Sequence, residues 1–224
     1  MTSRFDTGDT VGRQRGLTAA VAALSRGQLV GLPVDSQYGI AADAFSERGV
    51  AAIRAAKGSA TLAIPVLVPR IPTVSGIARP SALALRLMRA FWPGSLTLLL
   101  PAQTTLAWSL TDAAGRVAVR QPLHPVALNL LERTGPLAVV GAIADTPTPE
   151  AAFGDEIADQ LAVILEGGHL PGGPASTVVD TSVEPPVLLR AGAVDTEQLI
   201  AMCPDLVLPA PPGPALPGEP TGAT

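Results

Sequence analysis

Residues 28–39 read QLVGLPVDSQYG, and the fold class turns on how they are understood. The first seven are almost wholly apolar, which predicts a buried strand, and the polar break that begins at Asp35 predicts a loop at the strand's end. Working outward, residues 17–26, LTAAVAALSR, carry helical spacing and stop before Gly27, a suitable C-cap. On the other side Ser46 is a natural N-cap for ERGVAAIRAAKG, whose helical spacing stops at Gly58. Further along, IPVLVP, SLTLLLPA, RVAVRQP and PLAVVGAIA predict strands, separated by helical patterns in PSALALRLMRAFW and in VALNLLERTG behind Pro125. A helix over about 149–161 precedes AVILEGG, STVVDTS and PVLLRAG, three strand-like runs joined by turns alone. Strand and helix alternate early and strands succeed one another late, an order that predicts an α/β domain with a mixed sheet.

Composition narrows the class. At 224 residues with 47% hydrophobic and 15% charged residues, the chain can bury a substantial core and is not disordered for most of its length. The reading is one domain over 17–203, a polar N-terminal arm over 1–16, and a proline-rich extended tail over 204–224. No apolar run reaches the ~18 residues of a membrane span, and the polar start has no secretory pattern, so a cytoplasmic protein is expected. The lone Cys203 excludes an internal disulfide framework and leaves little for a metal site, so none is expected. Net charge is −4 and aromatic residues are 3%, which argues against a global nucleic-acid-binding surface.

No phosphate-loop, dinucleotide-binding, zinc-protease or serine-elbow motif is present. Polar clusters instead fall at strand ends: PVDSQYG, AAKGS, PGSLT, VRQPLHP, GPASTVVD and LLRAG. Loops leaving strands are where α/β proteins collect ligands. Taken singly each cluster has an innocent reading as a turn, a cap or a strand start. Lys57 stands apart, because it is the only lysine among 15 basic residues. Its ammonium is a compact point charge that arginine's planar fork does not imitate, although a cation in the last turn of a helix also answers the helix dipole.

Together and in order, these clusters resemble the YrdC-like family, the threonylcarbamoyl-AMP synthases. GLPVDSQYGIAADA resembles the family's P-T-D-T-x-Y-G-L segment, AAKGS its K-x-R, FWPGSLTLLL its P-G-x-x-T and VAVRQPLHP its V-R-x-P-x-H. GPLAVVGAIA occupies the place of its serine-alanine-asparagine segment, and STVVD and LLRAGAV resemble its closing motifs. The resemblance runs from about Leu17 to Val194. It implies a YrdC-like twisted mixed sheet with helices around a large open cavity, and a reaction of L-threonine, bicarbonate and ATP that yields threonylcarbamoyl-AMP for tRNA modification. ATP and Mg2+ are implied with it, as are small-molecule substrates and weak tRNA or double-stranded RNA binding. By position, Lys57 is the implied catalytic residue. Asp35, Ser36, Tyr38 and Ser59 fall on the substrate side, with Tyr38 beside the amino-acid pocket. Arg120, Ser176, Thr177 and Arg190 fall on the nucleotide side.

The sequence departs from this family at four points. Val34 replaces a threonine, Ser59 the K-x-R arginine, and Gly141 and Ile143 a serine and an asparagine. Losing one preorganised donor costs about 2.7–4 kcal/mol of transition-state stabilisation. Three readings therefore stay open. The chain makes threonylcarbamoyl-AMP with Arg54 or Arg70 standing in for the missing arginine; it acts on another carbamate or acyl-adenylate; or it binds nucleotide or RNA without turnover.

Overall fold

The computed structural model describes residues 2–58, 64–106, 108–142 and 147–209. Its strands are β1 (Ser3–Asp6), β2 (Leu29–Val34), β3 (Gln37–Asp43), β4 (Val66–Leu67), β5 (Leu96–Pro101), β6 (Arg116–Arg120), β7 (Leu137–Gly141), β8 (Leu161–Glu166), β9 (Thr177–Asp180) and β10 (Val187–Arg190). They form one ten-stranded sheet in the order β1-β8-β2-β3-β7-β4-β6-β5-β9-β10. β1 and β2 both run parallel to β8, β4 parallel to β6 and β5 parallel to β9; the remaining neighbours are antiparallel. The mixed α/β sheet expected from the order of elements is what the chain forms.

The helices are α1 (Thr10–Ser25), α2 (Glu47–Ala56), α3 (Ala82–Phe91), α4 (Pro125–Thr134), α5 (Pro149–Ala158) and α6 (Thr196–Met202). Their starts follow the local chemistry. The Ser46 hydroxyl accepts from the Gly49 N–H at the head of α2, Ser81 does the same for Ala84, and Pro125 opens α4 behind the capping His124. Gly58 takes φ +63 immediately past α2, where an L side chain would be strained.

Strand periodicity divides the core between two faces. Ile40, Ala42, Val66, Ala138 and Val140 join the cluster beneath α2, α3 and α5, whereas Ala41, Leu67, Leu137 and Val139 join Leu17, Leu24, Val126 and Leu130 of α1 and α4. A sheet covered on both faces needs strands apolar on both, which is why QLVGLPV and PLAVV read as continuous apolar runs. No helix among the described residues is long and apolar enough to cross a membrane.

Several expectations are corrected. The polar arm over 1–16 is not an arm: Ser3–Asp6 pairs with β8, Arg4 reaches Glu166 at 2.8 Å, and α1 begins at Thr10 rather than Leu17. A four-residue polar edge strand whose partner lies some 160 residues away has no local signature. DSQYG is a two-residue turn, Asp35-Ser36, leading straight into β3, because Asp35 adopts φ 55 and lets Val34 pair with Gln37. The helix of 149–161 stops at Ala158, with Leu161 already in β8, and α6 was not anticipated. The tail does not begin free at 204, since Val207 donates to the Pro186 carbonyl at 2.9 Å and accepts from the Leu188 N–H at 2.8 Å; residues 210–224 lie outside the described residues.

A buried carboxylate fastens the far half of the sheet. Asp180 is 2% exposed and accepts from Arg116 at 2.5 Å and from the Ser182 hydroxyl at 2.6 Å, joining β9 to β6 across β5. Arg116→Ala strips this carboxylate of its countercharge and is expected to lower unfolding stability by about 2 kcal/mol in urea titration. A change under about 0.5 kcal/mol would show that the pair holds nothing.

Candidate active site

A hollow of about 360 Å³ opens where β2, β3, β7, β4 and β6 end, and it takes contributions from every strand-end cluster of the sequence. Lys57 enters from the C-terminal cap of α2, and its Nζ donates to the Gly141 carbonyl at 2.9 Å. Arg120 closes β6, and its Nε and terminal nitrogens donate to the Gly94 carbonyl at 2.9 Å and the Ser95 hydroxyl at 3.0 Å. Arg190 ends β10 and donates to the Ser176 carbonyl at 2.9 Å and hydroxyl at 3.0 Å. All three cations border the same space, together with Tyr38, Thr97, Gly141 and Ser176. In a chain of net charge −4 this is a local concentration of positive charge facing a concavity.

The remaining expected residues are placed differently. Asp35 does not line the hollow: it forms an ion pair with Arg120, while its Oδ1 accepts from the Leu123 and His124 N–H groups at 2.6 and 2.8 Å. Burial, and then the neighbouring Arg190, press the Arg120 guanidinium below its ordinary pKa; the Asp35 carboxylate is its ion-pair partner. Ser36 gives its carbonyl to the Gly172 N–H at 3.1 Å and is outside the lining. Thr177 is fully buried, and its hydroxyl is spent on the Val194 backbone at 3.0 and 3.3 Å. Ser176, the residue just before β9, lines the hollow, whereas Thr177 at the head of the strand points to the core. Ser59 and Ile143 lie outside the described residues. Neither Arg54 nor Arg70 borders the hollow, and Arg54 is tied to the Ser109 carbonyl at 2.7 Å.

Two polar residues of the lining, Thr97 and Gln37, were not named as site residues from sequence. The Thr97 hydroxyl donates to that of Ser176 at 3.2 Å. Ser176 Oγ thus receives hydrogen bonds from Thr97 and Arg190, which leaves its own proton for a ligand acceptor. The available signal was the cluster PGSLT, of which Thr97 is the last residue. The rest of the wall is apolar, with Val34, Leu67, Val139 and Val140. Gly141 leaves open space, since a Cβ built there meets nothing within 4 Å. Among the described residues no group of three His, Cys, Asp or Glu side chains could hold a metal ion. Asp35 is already engaged on both oxygens.

Comparison with known proteins gives one consistent answer. A Mycobacterium tuberculosis protein provisionally named threonylcarbamoyl-AMP synthase is 42% identical over 205 residues, covering 89% of this chain and 94% of its own. The Pyrococcus abyssi threonylcarbamoyl-AMP synthase is 34% identical over 191 residues, and the match spans 80% of this chain but only 55% of that protein. The crystal structure of P. abyssi Sua5 complexed with L-threonine superposes with a TM-score of 0.79 at 27% identity, covering 93% of this chain and 62% of that one. The family model Sua5/YciO/YrdC, described as telomere recombination, matches residues 22–192, a span that holds every residue placed around the hollow; the chain belongs to the Sua5/YciO/YrdC family.

Proposed function

We propose that this chain is a nucleotidyl-transferring enzyme that converts L-threonine, bicarbonate and ATP into threonylcarbamoyl-AMP and pyrophosphate, a product suited to the modification of tRNA. The observation that carries the reading is that Lys57, Arg120 and Arg190 surround one small-molecule-sized hollow with the Ser176 hydroxyl among them. The relatives named above, and the L-threonine bound to one of them, support the choice of substrate.

The chemistry is a problem of crowded anions. The amino group adds to bicarbonate and water leaves, giving a carbamate. A carbamate oxygen then attacks the α-phosphorus of ATP, and the bond to the bridging α–β oxygen breaks as pyrophosphate departs. Every participant is negatively charged, so the barrier depends on cations held in place beforehand. Arg120 is held by Asp35, Gly94 and Ser95, and Arg190 by Ser176. Lys57 reaches across to the end of β7 and supplies a point charge where carbamate and phosphate oxygens meet. Among the described residues no carboxylate borders the hollow, so no step is assigned to a magnesium ion. The apolar wall favours a second reading of the same chemistry, with a less polar amine in place of threonine; pyrophosphate release over a panel of amines separates the two.

Incubation with ATP, bicarbonate and L-threonine is expected to release pyrophosphate and form the adenylate, and silence would remove the proposal. Lys57→Met is expected to lower kcat by about 10²–10³, and a variant within twofold of the parent would take the lysine out of the chemistry. Gly141→Ser adds a hydroxyl beside Lys57 without a clash, and steady-state kinetics should show kcat rising by about tenfold. Asp35→Asn leaves the Arg120 cation buried without its countercharge; about 3 kcal/mol of unfolding stability should be lost, with a higher KM for ATP.

A further inference from the structure

Tyr38 is the chain's only tyrosine and is 1% exposed. It borders the hollow, and its ring packs edge-on against Phe153, with centroids 5.7 Å apart. Its hydroxyl is fully occupied elsewhere, donating to the Gly168 carbonyl at 2.7 Å and accepting from the Gly167 N–H at 3.0 Å. Those two glycines open the segment GGHLPGGPAS, residues 167–176, which ends with Ala175 and Ser176 on the wall of the hollow. Gly168, Gly172 and Gly173 take φ of 73, 67 and 128. A stretch so rich in glycine loses much backbone entropy on ordering and does not hold itself.

Its start is held from the β2–β3 hairpin, and its end by Arg190, by Thr97 and by the Ala193 N–H, which donates to the Ala175 carbonyl at 3.0 Å. Besides the two bonds to Tyr38, Gly172 donates to the Ser36 carbonyl at 3.1 Å, and Leu170 to the Pro147 carbonyl at 2.8 Å. The Tyr38 carbonyl also accepts from the Ala142 N–H at 2.9 Å, one residue beyond the Gly141 carbonyl that receives Lys57. We propose that Tyr38 is a positioning residue: its hydroxyl clasps the start of the 167–176 segment, and this anchor, together with Arg190 and Thr97 at the segment's end, fixes Ser176 relative to Lys57. Burial, followed by the nearby Glu166 and Glu150 carboxylates, pushes the phenol up to about 12 against the donated Gly167 N–H. The phenol ionises more readily in the unfolded chain, so the clasp's contribution is whole below pH ~10 and fades as pH rises through ~12.

The kinetic half of the test rests on the function proposed above, whereas amide exchange does not. Tyr38→Phe keeps the ring and removes the clasp. Amides within 167–176 are expected to exchange about tenfold faster while those of β2 and β8 are unchanged. The KM for ATP should rise about fivefold with kcat nearly constant, because Ser176 would be displaced in the ground state. Unchanged exchange in the segment, or equal acceleration throughout the core, would overturn the proposal. So would local acceleration with an unmoved KM. If the parent protein shows no turnover at all, the proposed reaction fails, and the exchange pattern alone decides the clasp.

Discussion

The ion pair between Asp35 and Arg120 is the constraint around which the site is organised. Arg120 is 12% exposed in its side chain and sits at the end of a central strand, where an uncompensated guanidinium would carry a severe desolvation penalty. The compensating carboxylate comes from the left-handed first residue of a two-residue turn, and its other oxygen holds the N–H groups of Leu123 and His124 ahead of α4. One side chain therefore fixes the β2–β3 hairpin, the end of β6 and the entry to α4 in mutual register. The hollow lies between them, which is why its mouth can carry three cations without collapsing or swinging open.

The sheet supplies the second condition. Because α1 and α4 cover one face and α2, α3 and α5 the other, side chains inside the central strands β2, β3 and β7 are buried, and the charged groups of the site come from the ends of elements. Strand ends from distant parts of the chain converge because β7 and β4, though far apart in sequence, are neighbours in the sheet. Positive charge accumulates there in an otherwise acidic protein. The departures from the family pattern act on the same space: Val34 and Gly141 remove polar atoms from the wall but leave the cationic frame standing.

Much of the site was legible before any coordinates. Lys57 stood out by composition, and Arg120, Ser176, Arg190 and Tyr38 by their places in ordered clusters, and the structure brings all five to one hollow. Asp35, Ser36 and Thr177 belonged to the same clusters, yet their side chains or carbonyls are spent on holding the frame. Sequence adjacency could not separate Ser176 from Thr177, because only the register of β9 against β5 says which of the two faces inward. Thr97 closes the cluster PGSLT but was given no role, because its worth depends on Ser176, 79 residues away, standing opposite.

Local chemistry was enough for whatever depends on neighbours in the chain. Apolar runs became strands, Ser46 and Pro125 started helices, and Gly58 ended one, since caps and periodicity act over three or four residues. What tertiary structure alone decided is everything that needs two distant segments to meet: the pairing of Ser3–Asp6 with β8, the Asp35 countercharge for Arg120, and the Tyr38 clasp on Gly167 and Gly168. Those interactions span from about 85 to 160 residues of chain, and the direction of a side chain across such a gap is set by strand register and burial, which no local pattern encodes.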